Sequence, residues 1–143
     1  MAQPIQNFAT RFRKDTSGAV AIEFVLIAPI LFALLFGIIT LGYFMGVSHS
    51  VTQLATGAAR SSVAGLDQIE RQALAEEYLA QAGTRYPLLI ASGISPTVTF
   101  ESSDPAGIIV DVSYSVDGTL LDLANGFLGL GINTIEGSAY LAY

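Results

Sequence analysis

No cysteine occurs anywhere in the 143 residues, which rules out a disulfide framework and any thiolate metal site. Tryptophan is absent too, and His49 is the single histidine. Charge is scarce: Asp, Glu, Lys and Arg make up 13% of the chain, about half the usual share. What charge there is leans acidic, at a formal net −6, and past Lys14 the only basic residues are Arg60, Arg71 and Arg85. Nonspecific nucleic-acid binding needs clustered Lys and Arg to neutralise phosphates, so nucleic acid is excluded as a partner. Nucleotide-binding motifs are missing as well. There is no Walker A sequence and no G-x-G-x-x-G, and Gly129-Leu-Gly131 alone carries no such meaning. Asp104, Asp111, Asp117 and Asp122 lack EF-hand spacing, leaving at most a loose Ca²⁺ site. His49 has no evident nucleophile beside it, and the adjacent Glu76 and Glu77 point to different sides of a helix as a solvated pair. Nothing here reads as an enzyme or calls for a metal or cofactor.

The missing charge is missing chiefly from one place. Phe24 to Val47, FVLIAPILFALLFGIITLGYFMGV, contains no charged residue. As a helix this run is about 36 Å long, enough to cross a hydrocarbon core of about 30 Å with some tilt. It is apolar on all sides, unlike an amphipathic surface helix. The competing reading, a buried core helix, fits poorly with such a length in so small a chain. Arg11, Arg13 and Lys14 stand just before the run, and the positive-inside rule then keeps the N-terminus cytoplasmic. A cleavable secretory signal would carry a shorter apolar core, about 7–15 residues, so the run is expected to remain as an anchor. Pro29 falls in its interior and removes the usual partner of the Val25 carbonyl. Gly42 and Gly46 form a G-x-x-x-G pair through which another helix can approach, although Gly and Pro are common in membrane helices generally.

Glu23 is the costly residue. It stands at the cytoplasmic edge of the run, where a carboxylate entering hydrocarbon costs up to about 2.5–3.5 kcal/mol. One reading is an interfacial acid that reaches back to water. The other supplies a cation: a cut after Gly18 would leave an α-amino group on Ala19, and Ala19 and Glu23 share a helix face at i and i+4. A partner on a neighbouring subunit would serve equally. Pairing in low dielectric would favour assembly in register.

A basic leader, Gly18, a small residue, and Glu as the fifth residue of a long apolar helix together resemble the type IV prepilin signal. Within that class the chain resembles the TadE-like minor pseudopilins of the tight-adherence (Tad/Flp) pilus system. The matching features are Ser17-Gly18-Ala19-Val20-Ala21-Ile22-Glu23-Phe24, Pro29, Phe36-Gly37-Ile38-Ile39, Gly42 and Ala58-Ala59-Arg60, within residues 17–65. The resemblance implies that Gly18 and Ala19 flank a cut made by a membrane-embedded prepilin peptidase and that Glu23 is the acid at position five. It also implies a place in the bacterial inner membrane, with other pilins or pseudopilins and Tad assembly proteins as partners. One departure stands out: the sixth position is usually Tyr, and Phe24 keeps the ring without the hydroxyl. An uncleaved, single-pass envelope scaffold is the alternative, and an exported soluble domain behind a signal is a third.

Helical spacing continues through Val51, Leu54 and Ala58, so the helix is expected to run on to about Ala64. Asp67 and Glu70 read as a variant capping box opening a second helix. Its Ile69, Ala73, Leu74, Tyr78, Leu79 and Ala82 are expected on one side, with Gly83 as C-cap. Pro87 and Pro96 bracket an expected loop. Residues 97–101 and 108–116 alternate as strands around a turn at 102–107, with Val110, Val112, Tyr114 and Val116 facing one way. Residues 132–143 supply a third strand. The approach from Asn125 to Gly131 reads as a loop, in a stretch whose Leu120, Leu121, Leu123, Phe127, Leu128 and Leu130 suit a tight core, or else a surface covered by a partner or the bilayer. The expected organisation is a leader at 1–18, a transmembrane helix at 19–47 and an exported pilin-like α+β domain at 48–143.

Overall fold

The computed structural model describes residues 17–102 and 104–143; of the basic leader expected at 1–18, residues 1–16 lie outside them. Helix α1, Ser17–Ser62, runs unbroken through Pro29. It is followed by α2 (Gln68–Ala80), a four-residue α3 (Ala82–Arg85) and a 3₁₀ turn (Ala91–Gly93). Strands β1 (Ile94–Glu101) and β2 (Gly107–Ser115) come next, then α4 (Leu120–Leu128) and β3 (Thr134–Ala142). The strands form one antiparallel sheet in the order β1-β2-β3, so the fold is α+β as expected.

Two compact units divide the chain, residues 1–39 and Thr40–Tyr143. In the first, the described side chains of α1 are almost all exposed. Over the most apolar stretch of α1 only 6% is buried, unlike the core helix of a soluble protein. The helix is long and apolar enough to cross a membrane.

The second unit is built on the remainder of α1. Val47, Val51, Leu54, Ala55 and Ala58 are fully buried, and they join the inner face of β2 in one core. The alternation read from the sequence is borne out: Val110, Val112, Tyr114 and Val116 are at most 1% exposed. As the middle strand, β2 pairs on both edges, Val110 with Val98 on one side and with Ala139 on the other. Pro96 lies inside β1 rather than closing a loop, opposite Val112. An edge strand tolerates it because only one side needs a donor for the ladder.

Helix α2 begins where the capping box indicated. The Asp67 carboxylate accepts from the Glu70 N–H at 2.8 Å, and the Glu70 carboxylate accepts from Leu66 N–H at 2.8 Å. The expected side is met in part. Leu79 and Ala82 face the core together with Ala75, and Tyr78 packs against it, whereas Ile69 is 83% exposed and Ala73 also faces out. The chain leaves α2 at Gln81, and Gly83 sits within α3 instead of capping. Arg71 closes the turn between α1 and α2: its Nε donates to the Gly65 carbonyl at 3.0 Å, and its guanidinium stacks on the Tyr143 ring, 3.6 Å from the centroid.

The largest departure is α4, which occupies much of the stretch read as a loop. Thr119 caps it by accepting from Leu121 N–H, and Asp122 reaches back to Gly118 N–H at 3.1 Å. Gly129, at φ 63°, ends it in the left-handed conformation that favours glycine. The Asn125 side chain then staples the exit loop, donating to the Ile132 carbonyl and accepting from its N–H. Only Leu121 and Ala124 of this helix are buried, so most of its large apolar residues are not core.

Candidate functional site

The residues singled out for processing and recognition all fall on the first turns of α1. Gly18 and Ala19 lie in its opening turn, and both are exposed. Glu23 follows Ala19 by one turn on the same helical face, and its side chain is exposed. Phe24 beside it is 68% exposed. The cations among the described residues, Arg60, Arg71 and Arg85, all belong to the other unit, so none of this first stretch supplies Glu23 with a partner. Chemically the arrangement is an acid at the end of an apolar helix, with space around it for a cation brought by cleavage or assembly.

Farther along, a Cβ on Gly42 would meet nothing within 4 Å. Gly46 is different: a Cβ there would stand 2.9 Å from Leu88 Cδ1, so Leu88 of the same chain already covers it. The two glycines of the G-x-x-x-G pair therefore have unlike surroundings. Pro29 is exposed within the continuous helix.

His49 is exposed, and its Nε2 is hydrogen-bonded to the Gln53 amide one turn on, at 2.6 Å. Among the described residues no group of three or more His, Asp or Glu is close enough to hold a metal ion. The outer face of the sheet carries a shallow depression lined by Asp111 and Glu136 with Ser95, Thr97 and Ser113. These are ordinary outward positions of alternating strands.

The match to a family model falls on the same helix. Residues 18–60 match the family described as TadE-like protein. The long helix is TadE-like. The match takes in Gly18, Ala19, Glu23, Phe24, Pro29, Gly42 and Gly46, and it ends just before the TadE-like helix does. No curated protein and no solved structure matches the chain.

Sequence reasoning missed α4 and the close approach of Gly137 to α1. For α4 a signal was present. Thr119-Leu-Leu-Asp122 has the capping-box form ahead of an apolar run, the same device recognised at Asp67 and Glu70. For Gly137 no local signal exists, because its neighbour is distant in sequence.

Proposed function

We propose that this chain is a minor pseudopilin taking part in assembly of Tad/Flp-type pili, held in the bacterial inner membrane by α1 and processed after Gly18 by a prepilin peptidase. The observation that carries this reading is the TadE-like match over residues 18–60, which coincides with an apolar helix left uncovered along its first turns. The leader orients the precursor with its N-terminus cytoplasmic and the second unit on the far side of the membrane. Cleavage then creates an amine on Ala19, one turn from Glu23. An unpaired carboxylate among apolar helices is costly, so neutralisation by this amine, or by that of a neighbouring subunit, favours docking in register. The partners are membrane lipid, the peptidase, other pilins or pseudopilins and the Tad assembly proteins. The chain has no catalytic role.

A second reading is an uncleaved, single-pass scaffold of the same machine. Phe24 favours it, since the ring at the sixth position lacks the hydroxyl usual in processed members. The N-terminus of the membrane-extracted protein decides, measured by intact mass with and without the cognate prepilin peptidase. A chain starting at Ala19 only when the peptidase is present supports processing. Residues 1–18 retained in both samples would leave the scaffold.

A further inference from the structure

Within the unit Thr40–Tyr143, two separate stretches of chain reach the same turn of α1. The Tyr43 side chain lies near that of Thr119, the N-cap of α4. Leu88 lies over Gly46, and the Ile90 N–H donates at 3.2 Å to the hydroxyl of Tyr114, a core residue against which Tyr43 also packs as part of the same cluster. Tyr43 to Gly46 is the last turn of the apolar run. Helix α4 and the segment Leu88–Ile90 therefore stand level with the point where that run ends.

Both stretches turn large apolar side chains outward at this level, with the exposed carboxylates of Asp117 and Asp122 at the start of α4, Asp117 accepting from the Ser115 hydroxyl. On α4, Leu123 is 61% and Phe127 83% exposed, one turn apart, and Leu128 and Leu130 are half-exposed beyond them. Leu88 and Ile90 are half-exposed too, and Leu41 and Met45 face out from α1 itself. No Lys or Arg lies in residues 86–90 or 117–133, and the carboxylate of Asp122 is held by the Gly118 N–H. An anionic surface would be met through Lys and Arg, so the fit here is to acyl chains by apolar burial alone.

We infer that α4, with Leu88 and Ile90, seats this unit on the lipid surface, α4 lying in the headgroup–acyl boundary with Leu123 and Phe127 turned into the bilayer. The inference rests on the reading of α1 as a membrane span. It makes the unit a second point of membrane contact rather than a head held off by a stalk.

The absence of Trp makes a single introduced Trp a clean reporter. The full chain is reconstituted in phosphatidylethanolamine–phosphatidylglycerol vesicles, with and without brominated acyl chains, as Phe127→Trp. Thr99→Trp, on an exposed position of β1, is the aqueous reference, and Leu34→Trp, inside the apolar run, is the span reference. The expected result is blue-shifted Phe127→Trp emission that is dimmed by brominated lipid and shielded from iodide, with Thr99→Trp the reverse. If Phe127→Trp is as open to iodide as Thr99→Trp while Leu34→Trp is dimmed, the seating is wrong and the span stands. Shielding from iodide without dimming means a protein surface covers α4, which also overturns the proposal. A Leu34→Trp that is not dimmed removes the span and the seating together.

Discussion

At Gly137 the side chain is decided by backbone on the far side of the core. A Cβ there would stand 2.9 Å from Thr52 N and 3.0 Å from the Val51 carbonyl carbon, both in the backbone of α1. No flexible side chain can give way, so β3 lies against the helix with only a hydrogen between. Gly137→Ala is expected to cost about 1–3 kcal/mol, the usual range for overpacking. Chemical denaturation of the detergent-solubilised chain measures it, and an unchanged midpoint would contradict the close approach. Tyr86 offers a test in pH. Burial, then the hydrogen bond and proximity to Tyr78, push its phenol from 10.0 up to about 12, against a smaller lowering by Arg85. A folded-state pKa above the unfolded one means a contribution fully present below about pH 10 and lost as pH rises through about 12. Wild type should thus lose stability over that window, and Tyr86→Phe should lose less. Parallel losses in the two proteins would assign the alkaline sensitivity elsewhere.

The helices show which local signals survive folding. Helix α2 starts at the Asp67 cap because Asp67 and Glu70 each satisfy a backbone N–H that a helix start leaves open. Asp67→Ala should destabilise the unit by about 1 kcal/mol, with faster amide exchange confined first to the opening turn of α2. Uniform exchange through α2 would mean that the cap is not what holds this end. Periodicity was a weaker guide to the buried side. Ile69 and Ala73 fit an apolar stripe, but α2 packs through Ala75 and Leu79, because the partner surface selects the face. The alternation of β2 was legible for the opposite reason: its inner face is wholly buried, so a period of two is strongly imposed. Leucines and glycines around Asn125 hid α4, although the Thr119 and Asp122 cap announced it.

For the molecule as a whole, the compact second unit begins at Thr40. Val47 already belongs to its core, so one helix is exposed apolar surface in its first half and core in its second. Glu23 belongs to the first half, and its proposed role is in assembly rather than insertion. Glu23→Val should leave the chain in the membrane fraction and reduce surface piliation; normal piliation would remove the proposed role.

Read alone, the chain already dictated the long apolar helix, the cap at Asp67, the three strands and the TadE-like features from Ser17 to Arg60. Each is set by contact with solvent or by neighbours a few residues away, so composition and period are enough to reveal it. Packing decided the rest: which side chains of α2 are buried, that Leu88 covers Gly46, that β3 needs Gly137, and that α4 turns Leu123 and Phe127 outward. These depend on what lies opposite across the core, and a residue's sequence neighbours do not specify that.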